Sequence, residues 1–202
     1  MAARKSVKQT SRSRLLKAAE DLMRESGYAA VTSRRVAAKA GLKPQLVHYY
    51  FHTMDDLFLA LYRQLATGII ERQKTILSAN KPLSEMWKLT ADARGVLLNY
   101  EFVALANHRK VIRKEIAEFG NRFRRSQIEI MGHILAKNGV KGFPWTPDFA
   151  AVLLNSLARS LSVESEVGMT EGHAEALRTI EHFIEQFDRQ VSEVTIYNDA
   201  SP

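Results

Sequence analysis

Residues 33–52, SRRVAAKAGLKPQLVHYYFH, contain two short helical patterns separated by a glycine. Ala37 lies where the two helices would cross, and such a crossing requires a small side chain. Gly41 lies in the turn, where a positive φ costs little only in the absence of a Cβ atom. Leu42 is expected to plug this turn. Four side chains are expected to face inward: Val36, Ala40, Val47 and Tyr50. The spacing predicts a helix-turn-helix, a motif whose second helix lies in the major groove of DNA.

The distribution of charge favours a polyanionic partner such as double-stranded DNA. Residues 1–50 contain eleven Lys or Arg and three acids, a balance of +8, within a chain whose formal net charge is +7. The other 152 residues contain eighteen basic and nineteen acidic side chains, a balance of −1. Basic side chains that neutralise phosphates release counterions and provide affinity for DNA of any sequence. A solvated basic tail is the alternative explanation of the charge alone.

The composition excludes several classes of protein. The chain has 202 residues, 46% of them apolar and 25% charged, as in ordinary globular proteins with a hydrophobic core. The absence of cysteine excludes disulfides, cysteine-ligated zinc and thiol catalysis. No stretch approaches the ~20 apolar residues of a membrane span. The first residues, MAARKS, lack the apolar core of a secretory signal. We therefore expect a cytoplasmic protein without membrane association.

No pattern of residues indicates an enzyme. The sequence contains no phosphate-binding loop, nucleophile elbow or metal-binding pattern. His48 and His52 are four residues apart, but they flank a predicted helix end and have no cysteine partner. We expect no catalytic residue, no cofactor and no metal site.

The apolar periodicity predicts an all-α fold. We expect an N-terminal three-helix domain with the helix-turn-helix over 11–55, linked by a helix at 53–78 to a helical ligand-binding and dimerisation domain over 56–193. Residues 1–10 are expected to form a disordered basic arm and 194–202 a flexible tail. The predicted helices run over about 12–25, 33–40, 44–50, 53–78, 82–94, 96–106, 109–137, 148–166 and 171–191. Gly95 is expected to divide two of them, and residues 138–147 are expected to form a loop.

Residues 12–65 resemble the DNA-binding domain of TetR-type repressors. The resemblance lies in Leu15-x2-Ala18-Ala19-x2-Leu22, Gly27-Tyr28, Thr32-x3-Val36-Ala37-x2-Ala40-Gly41-Leu42, and above all in residues 47–57, VHYYFHTMDDL. The last piece is similar to the family's L-Y-x-[HY]-F-x-[ST]-K-E-x-L. Leu46 and Met54 depart from the family pattern, which has a small or hydroxyl residue and a lysine at these positions. The resemblance implies a transcriptional regulator that binds a palindromic operator.

Nine side chains are predicted to contact DNA. Thr32 or Ser33 at a helix N-terminus should contact phosphate, and the recognition helix should begin near Pro44. Further phosphate contacts are expected from His48, Tyr49 and Thr53. Base-edge contacts are expected from Lys43, Gln45 and Leu46, the last of these on a thymine methyl. The resemblance also implies a base contact from Arg34, because some family members read a guanine from this position. The N-terminal basic residues could reach phosphates or the minor groove, although a solvated tail explains them equally well: Arg4, Lys5 and Lys8.

The last two predicted helices carry an apolar stripe that favours dimerisation. Its members are Phe149, Val152, Leu153, Ser156, Leu157 and Ser160 on one helix and Leu177, Ile180, Phe183, Ile184 and Phe187 on the other. Together with their two-fold mates these faces could form a four-helix bundle. Some of these residues must serve the intramolecular core, which is the alternative for the whole stripe.

The resemblance further implies a small-molecule pocket among the middle helices, whose occupancy releases the DNA. The candidate pocket residues are Met86, Trp87, Asn99, Tyr100, Phe102, His108, Phe119 and Phe123, with Asn107 as a further polar candidate. An apolar lining with a few polar groups is usual for such pockets, but an aromatic stripe is also typical of plain core.

Two other functions agree with parts of the sequence. An architectural or cell-division protein of the same fold would coat DNA at many sites. A helical enzyme with a basic arm would not bind specific DNA at all. We expect repression rather than activation, because nothing in the sequence suggests a surface for recruiting polymerase.

Overall fold

The computed structural model describes the backbone of residues 2–140 and 145–198 and the side chains of residues 10–140 and 145–189. Over these residues the chain is all-α, with nine α-helices and no strand. The helices are α1 (Ala2–Ser26), α2 (Ser33–Ala40), α3 (Gln45–Tyr50), α4 (Met54–Lys74), α5 (Pro82–Thr90), α6 (Ala93–Ala106), α7 (Lys110–Lys137), α8 (Pro147–Glu166) and α9 (His173–Asn198). Short 3-10 turns occupy Tyr28–Ala30 and Ile76–Ser78. No helix in the described ranges is long and apolar enough to cross a membrane.

Helix boundaries follow the local sequence signals at several places. Thr32 caps α2, because its side chain accepts a hydrogen bond from the Arg35 amide. Pro82 lies in the first turn of α5 and Pro147 in the first turn of α8, where the missing N–H costs nothing. Thr146 caps α8 by accepting a hydrogen bond from the Phe149 amide.

Three boundaries differ from the sequence-based expectation. Helix α1 begins at Ala2, so the arm expected to be disordered over residues 1–10 is largely helical backbone, since it contains no glycine or proline. Gly95 does not divide two helices: α5 ends at Thr90 and α6 begins at Ala93. Helix α9 continues to Asn198, through part of the expected tail at 194–202. Residues 141–144 of the expected loop and 199–202 of that tail lie outside the described residues.

The chain divides into two compact units that do not follow the order of the sequence. Unit 1 comprises Met1–Thr67 and Leu97–Phe119, and unit 2 comprises Gly68–Val96 and Gly120–Pro202. Helices α4, α6 and α7 therefore each contribute to both units. The sequence places a boundary near residue 55, but most of α4, most of α6 and the start of α7 belong to unit 1.

The core of unit 1 is built from the inward faces of its N-terminal helices. Helix α1 packs on α2, and α2 packs on α3. The fully or nearly fully buried residues include Leu15, Leu16, Ala19, Met23, Val36, Ala37, Val47, Phe51, Leu57 and Leu61. Because these residues recur at three- and four-residue spacing, each helix turns one apolar face inward and leaves the other in water.

The core of unit 2 gathers apolar side chains from α5, α7, α8 and α9. It includes Leu83, Met86, Trp87, Ile130, Met131, Ile134, Ala151, Leu154 and Ile184. Helix α5 packs against α8 and α9. Asp188 of α9, which is 1% exposed, accepts hydrogen bonds from the backbone amides of Leu83 and Ser84, each at 3.0 Å. One buried carboxylate thus satisfies two amides at the N-terminus of α5.

Candidate nucleic-acid interface

The turn between α2 and α3 has the geometry that the sequence predicts. Gly41 lies in the left-handed region with φ 63° and ψ 39°. Its amide donates to the carbonyls of Ala37 and Ala38, and the Leu42 amide donates to the carbonyl of Ala37 at 2.9 Å. This arrangement provides hydrogen-bond donors for the last carbonyls of α2 and ends the helix at the turn that precedes α3.

The inward face of the motif is largely as predicted. Val36 and Ala37 are completely buried, and Ala40 and Val47 are also buried. Tyr50 is only half-buried, and Phe51 is the residue that is buried at this end of α3. Helix α3 ends at Tyr50 and Phe51 is extended, with φ −133° and ψ 109°, so the helical periodicity no longer sets the direction of its side chain.

Helix α1 supports the motif through charged side chains that the sequence analysis did not single out. Arg14 donates from Nη2 to the carbonyl oxygen of Ala40 at 2.5 Å, at the end of α2. The Arg12 guanidinium lies over the Phe51 ring, 5.2 Å from its centroid. These contacts connect α1 to the ends of both α2 and α3. They depend on long-range geometry, and the sequence carries no local signal for them.

The outward side of α3 and the turn before it present the predicted base-reading residues. Lys43, Gln45 and His48 are exposed, and Tyr49 is 55% exposed. Leu46 is half-buried. Tyr49 makes an edge-to-face contact with Tyr50, with 5.1 Å between the ring centroids. Because Val47 faces the core, the exposed side chains form a single polar and aromatic face.

The remaining predicted DNA contacts lie at helix starts. Arg34 is exposed and Ser33 is half-buried at the beginning of α2. The Thr32 hydroxyl accepts from the Arg35 amide at 3.3 Å. The Thr53 hydroxyl donates to Asp56 Oδ2 at 2.9 Å and accepts from the Asp56 amide at 3.1 Å. Both threonines therefore cap helices in the free protein.

The Thr53 cap also affects an acid at the start of α4. Hydrogen bonds from the side chain and the backbone amide of Thr53 lower the pKa of Asp56. The carboxylate form is favoured because both bonds donate to it. Asp55, its neighbour, pairs with Arg109 at 2.7 Å.

Ion pairs leave the outward side of α2 and α3 positive. Several basic side chains of α1 and α2 are paired with acids: Lys17 with Asp21, Arg24 with Glu20 and Lys39 with Glu25. Arg34, Arg35 and Lys43 are exposed and make no ion pair with any described residue. Unpaired cations beside an exposed polar helix attract a polyanion and steer its approach.

The side chains predicted to line a ligand pocket divide between the two units. Phe102 and Phe119 lie in unit 1, where their rings pack edge to face on Tyr62 with centroid distances of 5.0 and 5.7 Å. Asn99 is half-buried, and Tyr100 and His108 are exposed in the same unit. Met86 and Trp87 belong to the core of unit 2, and Phe123 is half-buried there.

The side chains predicted to form a dimer surface all lie on α8 and α9 in unit 2. Phe149, Val152 and Leu177 are 42%, 49% and 36% exposed. Five others line an apolar cavity of about 220 Å³: Leu153, Leu157, Ile180, Ile184 and Phe187. Trp145, which the sequence analysis did not single out, stacks on Phe183 at this cavity with 5.6 Å between ring centroids. Among the described residues, no group of three or more His, Asp or Glu side chains is placed to hold a metal ion.

The N-terminal part of the chain is similar to a known protein family. Residues 15–61 match the model of the family described as bacterial regulatory proteins, tetR family. The match covers α2 and α3 completely, together with much of α1 and the start of α4. No curated protein sequence matches the chain.

Solved structures with the same fold cover almost the whole chain. A putative transcriptional regulator from Saccharomonospora viridis in complex with choline has a TM-score of 0.71 at 17% identity, covering 94% of this chain and 97% of that one. A TetR transcription regulator from Haloarcula marismortui has a TM-score of 0.67 at 16% identity, with coverages of 92% and 96%. A putative TetR-family regulator from Rhodococcus has a TM-score of 0.65 at 19% identity, with coverages of 85% and 96%. At such identities the likeness establishes the fold.

Proposed function

Since residues 15–61 match the model of the tetR family of bacterial regulatory proteins and the chain has the fold of such regulators, we propose that this protein is a sequence-specific transcriptional repressor. It binds a palindromic operator as a homodimer and leaves the DNA when a small molecule binds. The observation that carries the proposal is the exposed face of α3, held by a buried helix-turn-helix core and flanked by unpaired cations.

The DNA contacts follow from the exposed side chains of this face. Gln45 at the start of α3 pairs with adenine, and Lys43 reaches guanine or phosphate. Arg34 reads guanine from the start of α2. The half-buried Leu46 packs on a thymine methyl. Contacts from Thr32, Ser33, His48, Tyr49 and Thr53 to phosphates hold the helix in register on the duplex.

The proposed dimer uses the apolar face of α8 and α9. Phe149, Val152 and Leu177 are large apolar side chains that the free chain leaves in contact with water. The adjoining cavity is lined almost entirely by apolar atoms and is partly open to solvent. A second copy, related by a two-fold axis, covers both features and brings two recognition helices to successive major grooves, ~34–36 Å apart. A palindromic operator follows from that symmetry.

The proposed response to a small molecule is supported by the way unit 1 is assembled. Glu101 of α6 accepts a hydrogen bond from the Tyr28 amide at 2.7 Å, in the turn that precedes α2. Glu115 of α7 pairs with Arg63 of α4 at 2.6 Å. Helices α6 and α7 continue into unit 2, so a ligand that displaces them there also acts on contacts that support the DNA-reading helices. The candidate lining residues in unit 2 are Met86, Trp87 and Phe123.

Sequencing of DNA recovered with the full-length protein from fragmented genomic DNA tests this function. We expect one or a few palindromic sites, and the expression of the adjoining genes should rise when the protein is deleted. Recovery of many unrelated sites would instead indicate a DNA-coating architectural protein. Recovery of no site would contradict the proposal. The variant Gln45→Ala is the control, since it should lose the enriched sites while keeping its fold.

A further inference from the structure

Arg124 in unit 2 has one guanidinium nitrogen that makes no hydrogen bond with any described residue. Arg124 lies in α7, and its Nη1 atom is shielded from solvent without a hydrogen-bond partner. Burying an unsatisfied donor costs free energy, and the cost is larger for a charged group. Since most buried polar groups in proteins are satisfied, this guanidinium indicates a partner that the free chain does not provide.

A second arginine, Arg159, lies on α8 opposite Arg124 of α7. The position of a Cβ on Gly132 of α7 would be 3.7 Å from Pro147 at the start of α8. Further back along α7, Gln127 accepts a hydrogen bond from Asn155 of α8 at 2.7 Å. The two helices therefore run antiparallel. Arg124 lies one turn before Gln127 on α7, and Arg159 lies one turn after Asn155 on α8. Because the helices are antiparallel and Gln127 contacts Asn155, the two guanidinium groups lie opposite each other.

The two arginines form a positive site without an internal counterion. Burial and, secondly, the positive charge of Arg159 lower the pKa of Arg124. Neither arginine makes an ion pair with a described residue. Arg159 is exposed and Arg124 is half-buried, so the guanidinium that is partly withdrawn from water is that of Arg124. A single negative charge is enough to neutralise it.

Two buried amides contact this part of the unit 2 core through hydrogen-bond donors that have weak partners. Gln127 is completely buried, and among the described residues its Nε2 atom donates to the sulfur of Met86, at 3.9 Å. Gln73 is 2% exposed, and its Nε2 atom is 3.5 Å from the carbonyl oxygen of Phe123. A thioether is a weak acceptor, and the second contact is long for a hydrogen bond. The local surplus of donors suits a ligand that offers acceptor oxygens.

We propose that Arg124 and Arg159 bind the effector, and that the effector is an organic acid with a single carboxylate. The planar guanidinium of Arg124 pairs with the carboxylate, the exposed Arg159 adds its positive charge, and the amides of Gln127 and Gln73 are candidate donors to the carboxylate oxygens. This inference rests on the proposed response to a small molecule and names its chemical class. The sequence analysis missed the site because a charged residue in an amphipathic helix is usually on its solvated face.

The first test uses the stability of the ligand-free, full-length protein. We compare Arg124→Met with the matched control Arg125→Met, which removes an exposed arginine from the same helix. Because Arg124→Met removes a half-buried charge that has no counterion among the described residues, its melting temperature should equal or exceed that of the wild type. A melting temperature clearly below that of Arg125→Met would show that Arg124 has a structural partner, and it would overturn the proposal.

The second test measures binding of acetate and benzoate by isothermal titration calorimetry and by thermal shift. Sodium chloride at equal ionic strength, acetamide, benzamide and choline chloride are the controls. We expect the two carboxylates, but not the controls, to bind the wild type and Arg125→Met. Arg124→Met should bind at least about tenfold more weakly, since a hydrogen bond to a charged group is lost. Arg159→Gln should show a smaller loss, because Arg159 is exposed.

The outcomes separate this inference from the proposed function. Equal binding of carboxylates by Arg124→Met and by the wild type, or no carboxylate binding beyond that of chloride, would contradict the inference. Arg124→Met should still bind the enriched genomic sites, because the substitution lies in unit 2 and leaves the α3 face unchanged. Loss of site-specific DNA binding by the wild type itself would contradict the proposed function.

Discussion

Arg14 of α1 donates a hydrogen bond from Nη2 to the carbonyl oxygen of Ala40, at the last residue of α2. This contact lies beside the turn on which the orientation of α3 depends. A Cβ atom on Gly41 would be 3.2 Å from the same Nη2 atom. The turn is thus constrained both by the left-handed backbone of Gly41 and by the arginine that packs against it.

The substitution Gly41→Ala should therefore destabilise the protein and misplace α3. A non-glycine residue in the left-handed region costs about 1–2 kcal/mol, and the new methyl group also crowds Arg14. Urea unfolding of the full-length chain measures the loss. Gly68→Ala is the control, because Gly68 lies within α4 with nothing within 4 Å of its Cβ position. It should leave stability unchanged or raise it by up to about 1 kcal/mol. Equal stabilities of the two variants would contradict this account of the turn.

The substitution Glu101→Ala should weaken the connection between α6 and the turn before α2. The Tyr28 amide loses its acceptor, 2.7 Å away in the wild type. We expect a loss of stability of about 1–3 kcal/mol, because a hydrogen bond to a charged group is removed. The release of DNA by the effector should become less complete, since α6 no longer holds this turn. Thermal unfolding and a DNA-release titration measure the two effects. Glu118→Ala, an exposed acid of α7, is the control and should alter neither.

The substitution Asp188→Ala should destabilise unit 2 by at least about 2 kcal/mol. It removes the acceptor for the buried Leu83 amide and for the half-buried Ser84 amide at the N-terminus of α5. Chemical denaturation monitored by the fluorescence of Trp87 and Trp145, which both lie in unit 2, reports the change. The control is Glu185→Ala on the same helix, an exposed acid whose loss should change stability by less than about 0.5 kcal/mol. If the denaturant concentration at the unfolding midpoint of Asp188→Ala equals that of the wild type, the role assigned to this carboxylate is refuted.

The junction of α8 and α9 should lose stability in acid. Glu164 accepts hydrogen bonds from Ser160 at 2.6 Å and from His173 at 2.8 Å, and these bonds lower the pKa of Glu164 in the folded protein. A carboxyl group with a depressed folded pKa stabilises the fold fully above its unfolded pKa, about 4.3 for glutamate. That contribution disappears as the pH falls through the folded pKa.

The measurement for this junction is the melting temperature of the wild type and of Glu164→Gln between pH 7 and pH 3. The wild type should be the more stable of the two near pH 7, and the difference should shrink below about pH 4.3. Glu166→Gln, an exposed neighbour, is the control and should follow the wild type. A difference that is constant over the whole range would contradict the assignment to Glu164.

The parts of the fold that depend on local interactions were predictable from the sequence. Thr32 and Gly41 mark the ends of α2 because a side-chain cap and a left-handed glycine act within a few residues. Gly95 was misleading, because a glycine that locally suggests a helix break does not end a helix here. The chain is interrupted at Ala91 and Asp92, which are not typical helix breakers, while Gly95 is accommodated within α6.

The parts that depend on distant contacts were not predictable. The grouping of α6 with the N-terminal helices involves contacts such as Glu101 with Tyr28, which are 73 residues apart. The contact between Arg14 and Ala40 spans 26 residues. The nine predicted DNA contacts are all exposed or half-buried, which agrees with their assignment, and their contacts with DNA stay predictions.

The central claim is that the exposed face of α3 reads bases. Its most direct test is the affinity of the full-length protein for an enriched genomic site, measured by gel shift for the wild type, Gln45→Ala and Gln64→Ala. Gln64 is an exposed glutamine of α4 and provides the matched control. Gln45→Ala should weaken specific binding by ~1–3 kcal/mol, with little change on unrelated DNA, and Gln64→Ala should bind as the wild type does. Unchanged specific affinity in Gln45→Ala, or an equal loss on specific and unrelated DNA, would contradict the claim.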